Sequence, residues 1–402
     1  MSRASPFPSA AASSRVPDLL VIGAGAFGLW TARAALGRGL RVIVAGGDAA
    51  PPASATPVGA LAPHLAEPWT PLKAFQFASL AALPADIAAL EAETGRAAGY
   101  ARPGRLTPLG SEAQRANALA RVADCAARWG GARGGGPDGD GGVRLLDRPG
   151  DAPGLWDPGW LDPAAAGHGA LHDRLTARID PPALLGALRA ACAGAGAEEA
   201  RLGRFLDWSA GVARFERGEV RARAAVLAAG AATLRLFPAL GGGPVQGQAA
   251  RLRPAAAPPP GTPLIGAPGL WITPHADGSV AVGATAEGGR EDLDTDAALD
   301  RLLDRARAHC PALAGAGVET RWAGLRPRAA TSSPVVGPAP GAPGLILATG
   351  GYKIGLAVAA SCGRAAATMA AGETPPDLPA EFAPPEGGPL PEFRRPGGAP
   401  AG

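Results

Sequence analysis

Apolar positions in the first fifty residues follow the order of a strand, a helix and a second strand. The run "DLLVIGAG" (18–25) predicts a short buried strand. The run "AFGLWTARAALGRG" (26–39) spreads apolar residues over one side of a helix and ends on glycines, which commonly stop helices. The run "LRVIVA" (40–45) then predicts the next strand. A β–α–β start of this kind is typical of a parallel sheet covered by helices, so we predict an α/β fold.

Further helices and strands follow from the same kind of pattern. Helices are predicted at 71–95, 111–130, 179–197 and 294–313, the third opened by Asp180 with prolines in its first turn. The run "EVRARAAVLAAGA" (219–231) predicts one strand that passes from the edge of the fold into the core. Residues 243–285 predict short strands and turns, with a hairpin at "HADGSV". The glycine-rich stretch 130–142 predicts a surface loop.

Composition and charge exclude several classes of function. Lys and Arg (38) nearly balance Asp and Glu (35), and the arginine-rich segment 214–223 alternates with acidic and apolar residues. We therefore expect a solvated strand face there and no nucleic-acid partner. No uncharged apolar run reaches about 18 residues, so no membrane span is expected. Four separated cysteines without a CxxC pair predict no metal site and fit a reducing cytoplasm. Oligomerisation is left open.

The glycine motif "GAGAFG" (23–28) joins the first predicted strand to the first predicted helix. Gly23 permits the tight turn, Gly25 lets the backbone approach a pyrophosphate, and Gly28 lets the helix pack closely on the strand. The positive end of the helix dipole then faces the anion. A fortuitous glycine turn is the alternative, because the chain contains 59 glycines.

The second predicted strand lacks the acidic residue that a dinucleotide-binding fold normally places at its end. That acid binds a ribose hydroxyl and stands about 20 residues beyond the glycine motif, near Gly46 in this chain. Asp48 lies two residues further on and is our candidate to reach back. A backbone group or a water molecule is the alternative.

Three motifs near the end of the sequence carry a family resemblance. They are a W-x-G-x-R-P stretch at 322–327, a P-x-x-G turn at 334–337 and an A-x-G-x-x-x-x-G loop at 348–355 that enters an apolar helix. Earlier landmarks occur in matching order: "PVGALAPH", "AAVLAAGA", "PVQGQAARL" and "WITPHADGSVAVGAT". Over residues 18 to 370 the chain resembles the D-amino-acid oxidase / glycine oxidase (DAO) family of FAD-dependent oxidoreductases.

The resemblance implies a fold with two parts. A discontinuous FAD-binding Rossmann-like domain would carry an inserted mixed-sheet α+β substrate domain. We assign the FAD-binding domain to 18–80, 146–236 and 321–372, the substrate domain to 81–145 and 237–320, and disordered tails to 1–17 and 373–402. FAD is expected to bind without a covalent link, because no Cys or His stands where relatives attach it.

The resemblance also implies the reaction. A C–N bond of a small amine or amino-acid substrate would be oxidised by hydride transfer to the flavin, and oxygen or another acceptor would take the electrons. The predicted cofactor-binding residues are Gly23, Ala24, Gly25, Ala26, Phe27, Gly28, Asp48, Ala229, Gly230, Gly350, Gly351, Tyr352, Lys353, Ile354 and Gly355.

Four residues are predicted to act on the substrate. Arg326 stands where glycine oxidases present an arginine to the substrate carboxylate, and a planar guanidinium suits that group; the alternative is a structural arginine that bonds loop carbonyls. Lys353, one of only two lysines, falls at the expected flavin edge, with a solvated loop lysine as the alternative. Tyr352 covers either flavin or substrate, or simply packs. Trp271 replaces a tyrosine that grips the substrate in glycine oxidases.

Two histidines lie near these residues. His275 follows Trp271 on the same predicted strand, and we expect it to be a surface histidine of the hairpin. His64 lies in the loop expected near the flavin ring, and we expect an ordinary loop histidine rather than a site residue.

Two other functions compete with the oxidoreductase hypothesis. The missing acid and the altered substrate strand suggest a non-catalytic flavin-fold protein that serves as a partner subunit. A nicotinamide-dependent dehydrogenase is a weaker alternative, because it gives the C-terminal motifs no role.

Overall fold

The structure is a computed structural model that describes residues 16–46, 51–64, 68–129 and 142–386. The predicted glycine-rich loop at 130–142 lies outside these residues except for Gly142, as do most of the first tail and the end of the second. The described helices are α1 (Ala26–Leu36), α2 (Pro71–Thr94), α3 (Glu112–Trp129), α4 (Pro181–Gly194), α5 (Ala231–Leu236), α6 (Ala297–His309) and α7 (Gly355–Ala370).

The described strands alternate with these helices along the chain. They are β1 (Leu19–Ile22), β2 (Val42–Ala45), β3 (Ala60–Leu61), β4 (Arg105–Pro108), β5 (Val143–Leu146), β6 (Ala170–Asp173), β7 (Ala177–Arg178), β8 (Glu198–Ala200), β9 (Phe205–Ser209), β10 (Val212–Phe215), β11 (Gly218–Arg221), β12 (Ala224–Leu227), β13 (Gly243–Arg253), β14 (Leu264–Ala267), β15 (Leu270–Pro274), β16 (Val280–Gly283), β17 (Glu287–Gly288), β18 (Gly317–Arg328), β19 (Pro334–Pro338) and β20 (Leu345–Gly350).

The first sheet has the order β19-β20-β12-β1-β2-β8. Its strands are parallel except for β19, which runs antiparallel to β20. The central strands are fully buried, because α1, α4 and α7 cover one face and apolar residues of the loops and of the small β9–β11 sheet cover the other. The predicted β–α–β start is therefore confirmed, and parallel strands place their carboxyl ends at one edge of the sheet.

The second sheet is mixed and larger, with the order β17-β13-β16-β15-β14-β4-β6-β5 and with β18 paired to β13. Helix α6 covers one of its faces around a core that includes Trp156 and Trp160. The opposite face, at β13, β15 and β16, contacts the loop before β3. The predicted hairpin joins β15 to β16, and the Asp277 side chain bonds the Ser279 amide within its turn.

One predicted strand is wrong as drawn. The segment 219–231 is split at Ala222, because β11 belongs to a small antiparallel sheet with β9 and β10 while β12 enters the first sheet. The arginines of this small sheet, including Arg214 and Arg221, are exposed. The expectation of a solvated strand face is confirmed.

Several elements depart from the predicted segments. Helix α2 runs without interruption through the boundary at 80, and β18 runs through the boundary at 320. Strand β6 pairs with β4 and β5 in the second sheet, although it falls in a segment assigned to the FAD-binding domain. The pairing of short strands far apart in sequence decides sheet membership, and local patterns do not show it.

The predicted tail from 373 is ordered over its first part. Phe382 is fully buried and makes an edge-to-face contact with Phe75 of α2, with ring centroids 5.0 Å apart. Pro384 covers Gly337 of β19. Proline and glycine content alone predicted disorder here, and it missed the aromatic anchor. No helix of the described residues combines the length and apolar character that crossing a bilayer requires.

Candidate active site

The first glycine loop lies at the carboxyl end of β1, and two of its glycines, Gly23 and Gly28, have no room for a side chain. Gly23 has φ +113°, and a Cβ there would stand 2.4 Å from the Ala228 carbonyl oxygen. A Cβ on Gly28 would stand 1.8 Å from the carbonyl oxygen of Gly23. Gly25 precedes α1 with extended backbone and has no side-chain cap. The amide of Ala26 instead donates a hydrogen bond to the Ser54 hydroxyl oxygen at 3.1 Å.

The predicted cofactor-binding segments meet at this edge of the first sheet. The Thr349 hydroxyl donates to the Gly230 carbonyl at 3.0 Å, which joins the ends of β12 and β20. A Cβ on Gly351 would lie 3.4 Å from the Phe27 ring, so the C-terminal glycine loop packs on the first one. The structure thus brings together residues that are more than 300 positions apart in sequence.

At the end of β2 the glycine in place of the usual acid is also closely packed. A Cβ on Gly46 would stand 3.1 Å from the Ala24 amide nitrogen. Arg189 of α4 donates to the Ala24 carbonyl at 3.2 Å, and burial lowers the pKa of its guanidinium. A cation therefore lies beside the glycine loop close to Gly46. Asp48 is outside the described residues, so its role stays a prediction.

Arg326 lies on the face of the second sheet that contacts the loop before β3. Its guanidinium lies across Gly247, where a Cβ would come within 2.2 Å of Nη2. Nη1 donates to the Thr285 carbonyl at 2.9 Å, so the structural alternative is partly realised. Among the described residues Arg326 has no carboxylate partner, and burial lowers its pKa. A desolvated guanidinium with unused donors is suited to bind an anion.

Tyr352 and Lys353 lie next to the end of β18, the strand that carries Arg326. The Tyr352 amide donates to the Pro327 carbonyl at 3.2 Å, and Tyr352 has φ +33°. Two cations flank its ring: Arg328 at 5.8 Å and the Lys353 Nζ atom at 5.3 Å from the ring centroid. Lys353 is exposed. The loop thus presents an aromatic ring and positive charge next to Arg326.

Trp271 lies on the same face of the second sheet, three strands from β18. It pairs with Gly283, which pairs with Ala249, so small residues separate it from the strand of Arg326. The ring of Trp271 lies 5.4 Å from the guanidinium carbon of Arg105. Trp271 is therefore held by an arginine that the sequence analysis did not single out.

The surface position expected for His275 is wrong. The ring is 5% exposed, and its Nε2 atom lies 2.9 Å from the Pro57 carbonyl oxygen, to which it donates. Burial, together with the charge of Arg251, lowers the pKa of His275 to about 4. The β15 register carries this residue inward, since position 275 follows Trp271 and Thr273 on the same face.

His64 is exposed and lies in the loop after β3. Its amide donates to the Gln76 side chain at 3.0 Å. The surrounding protein and then the charges of Lys73 and Arg105 lower the pKa of its imidazole. Its predicted character as a loop histidine agrees with this exposure.

The glycine loops, the uncapped start of α1 and the converging ends of β1, β12 and β20 fit a dinucleotide. Sequence reasoning missed Ser54, Arg105, Arg189 and Gly247. Gly247 lies within the quoted motif "PVQGQAARL", but only the neighbouring strand shows that it makes room for Arg326. The four cysteines are buried in the hydrophobic cores.

These features define an FAD-binding oxidoreductase of two sheets. The chain belongs to the DAO family, described as FAD dependent oxidoreductase, whose model matches residues 18–369. This confirms the predicted family, fold class and cofactor.

Several relatives are similar over part or most of the chain. Glycine oxidase of Pseudomonas aeruginosa is 37% identical over 173 residues, which are 42% of this chain and 47% of that protein. The bifunctional protein ThiO/ThiG of Trichormus variabilis is 28% identical over 85% of this chain and 51% of its own length. The chain thus spans about half the length of these curated relatives. The crystal structure of glycine oxidase from Geobacillus kaustophilus superposes with a TM-score of 0.80 at 26% identity, covering 92% of this chain and 98% of that one.

Proposed function

We propose that this protein oxidises the C–N bond of a small amino acid with bound FAD, in the manner that the names of its glycine oxidase relatives indicate. The observation that carries the proposal is Arg326, which is desolvated and has no carboxylate partner among the described residues. It lies beside Tyr352, whose loop packs on the glycine loop at the start of α1. A substrate carboxylate would supply the missing partner.

The protein's own residues would orient the substrate and set its protonation state. Arg326 would hold the carboxylate as a fork, and Gly247 keeps space for that geometry. The positive charges of Lys353 and Arg328 would favour the neutral amine over the ammonium, which is the form that can lose hydride. FAD, when bound, supplies the electron acceptor. Trp271 would limit the size of the substrate on the far side.

The comparisons lend no support to the alternative of a non-catalytic partner subunit. Oxygen or another electron acceptor, non-covalent FAD and a cytoplasmic location stay predictions, and the oligomeric state stays open. The roles of Arg326, Lys353, Tyr352 and Trp271 are likewise proposals that the experiments below address.

Anaerobic titration of the purified flavoprotein tests the function directly. Glycine, sarcosine, D-amino acids and L-amino acids would be added in turn while the flavin absorbance near 450 nm is followed. We expect bleaching by at least one amino acid that carries a free carboxylate. A protein that binds FAD yet is reduced by none of them, nor by simple amines, would be a binding subunit instead.

A further inference from the structure

Arg326 is oriented by a backbone carbonyl, and the residue that supplies this carbonyl is itself held by hydrogen bonds. Nη1 of Arg326 donates to the Thr285 carbonyl at 2.9 Å. Because a guanidinium is rigid and planar, one fixed nitrogen and the close contact over Gly247 together fix the plane of the whole group. The position of the Thr285 carbonyl therefore decides how Arg326 presents its remaining donors.

Thr285 lies two residues beyond the end of β16 and is joined to Gln248 of β13 by two hydrogen bonds. The Gln248 amide donates to the Thr285 hydroxyl at 2.9 Å, and the Thr285 amide donates to the Gln248 carbonyl at 3.2 Å. The first bond depends on the threonine side chain, since a residue without a hydroxyl could not accept it. Thr285 thus extends the pairing of β13 with β16, and this pairing holds its carbonyl in place.

The side chain of Gln248 lies on the face of the second sheet opposite to Arg326. It is fully buried, whereas its neighbour Gly247 lies under Arg326 on the other face. Its Nε2 atom donates to Oδ1 of Asp296 at 3.1 Å, and its Oε1 atom accepts from the Asp296 amide at 2.9 Å. An amide that is buried and bonded at both ends has little freedom to turn. Gln248 therefore links the carbonyl of Thr285 to Asp296.

Asp296 is the N-cap of α6, and Arg290 binds its carboxylate. The Oδ1 atom of Asp296 accepts from the Ala298 amide at 2.8 Å, and Nη1 of Arg290 donates to Oδ2. Arg290 also binds Asp292 with two hydrogen bonds of 2.7 and 2.9 Å. The Ala298 amide is the first of several contacts that lower the pKa of Asp296 to about 2. The cap is thus charged, and Arg290 holds it against Gln248.

We propose that Thr285 and Gln248 are positioning residues for Arg326, and that the ion pairs of Arg290 hold them in turn. Hydrogen bonds lead from the face of the second sheet that carries Arg326, through β13, to the start of α6. This inference rests on the proposed function, in which Arg326 binds the substrate carboxylate. Loss of any link should let the guanidinium turn and should weaken carboxylate binding while the flavin stays bound.

Binding of acetate, a carboxylate without an amine to oxidise, tests the inference apart from turnover. Acetate would be titrated into the FAD-loaded protein while the flavin spectrum is followed. Thr285→Val keeps the shape of threonine but cannot accept from the Gln248 amide, so acetate should bind about five- to tenfold more weakly. Thr285→Ser restores the hydroxyl and should bind acetate nearly as the wild type does. The matched control is Thr262→Val, which removes a hydroxyl bond of 2.7 Å to the Pro259 carbonyl in the loop before β14.

A second substitution separates positioning from a general loss of structure. The ammonium of Arg326→Lys has no plane to orient, so Thr285→Val should weaken acetate binding little in that background. The flavin content and the urea midpoint of Thr285→Val should match those of Thr262→Val. The same loss of acetate affinity in the Arg326→Lys background would overturn the proposal. Unchanged acetate affinity in Thr285→Val, or a wild type that binds no acetate, would overturn it as well.

Arg290 tests the outer link, and its partial exposure makes its replacement mild for the core. Arg290→Gln should weaken acetate binding by about threefold, because Asp292 and Asp296 lose the cation between them. Arg307→Gln removes the same charge and breaks an ion pair of 3.1 Å with Asp304 on α6, so it is the control. Equal acetate affinities in these two variants would contradict the link to Arg290. Amino-acid oxidation could fail while Thr285→Val still lowers the affinity for acetate, so the two proposals are separable.

Discussion

Single residues of this site depend on the residue beneath or beside them. Arg326 can lie flat because position 247 has no side chain, and its Nη1 atom is fixed by the Thr285 carbonyl. His275 is held neutral because burial, and then the charge of Arg251, lower the pKa of its ring, although the hydrogen bond from Nε2 to Pro57 raises it. Both side chains are desolvated, so loss of a hydrogen-bond partner at either position should lower the free energy of unfolding.

Replacement of Arg326 should separate substrate binding from cofactor binding. Arg326→Ala removes the guanidinium fork that would bind the carboxylate. The KM for the amino acid should rise by an amount that corresponds to about 2–4 kcal/mol of lost binding free energy, while FAD stays bound. Arg326→Lys keeps the charge without the planar fork, so its KM should lie between those of the wild type and Arg326→Ala. Steady-state kinetics and the flavin content per protein measure the two effects. Unchanged kinetics in Arg326→Ala would remove this residue from the site.

His275 should make stability fall with acid. Its pKa is about 4 in the fold, below the ordinary value near 6.5, so folding favours the neutral ring. This contribution is complete above pH 6.5 and is lost as pH falls from 6.5 toward 4, by about 3 kcal/mol in total.

Urea unfolding at pH 7 and pH 5 measures the effect. The wild type should lose about 2 kcal/mol more between these pH values than His275→Gln. His168→Gln, which alters an exposed ring, serves as the control and should behave as the wild type does. The same loss in His275→Gln would show that another group is responsible.

At the scale of elements, two glycine loops and the helices behind them form one unit. The first loop leads into α1 and the second into α7, and these helices pack against each other and against the first sheet. A Cβ on Gly363 of α7 would come within 2.8 Å of the Thr31 amide in α1. The two glycine loops can lie close to each other because α1 and α7 pack closely behind them.

Two alanine variants in the first loop should differ in kind. Gly28→Ala places a Cβ 1.8 Å from a backbone oxygen, so we expect loss of the fold or of most of the bound flavin. Gly25→Ala meets only the Ser54 and Pro52 side chains, at 3.4 and 3.5 Å, so it should fold and bind FAD more weakly. Circular dichroism and flavin absorbance distinguish the outcomes. Equal flavin content in both variants would contradict the packing argument.

At the scale of the molecule, an ion pair joins the two sheets, and the segment after α7 packs against α2. Arg251 of the second sheet binds Asp180 at 2.8 Å, and Asp180 also caps α4 beside the first sheet. The segment after α7 returns to place Phe382 against α2, where it is fully buried.

Removal of the Phe382 ring should destabilise the whole molecule. Phe382→Ala leaves a cavity against Phe75 and should lower the free energy of unfolding by about 3–5 kcal/mol. Glu381→Ala, at the exposed neighbouring position, should change it little. Thermal or urea unfolding of the two variants provides the comparison. Equal stability would mean that this segment is not anchored in solution.

The sequence by itself determined the β–α–β start, the positions of α2, α3, α4 and α6 to within a few residues, and the family with its cofactor. These features depend on periodicity, on end signals such as Asp180 and on ordered short motifs, all of which are local.

Tertiary structure decided which strands share a sheet, the inward turn of His275 and the burial of Phe382. It also placed Arg105 and Arg189 at the site, since both reach it through strand pairing or helix packing that local sequence does not record. The missing acid at Gly46 shows what the sequence and the fold each contribute. The sequence revealed the gap, and only the fold showed that Ala24 and a nearby arginine surround it.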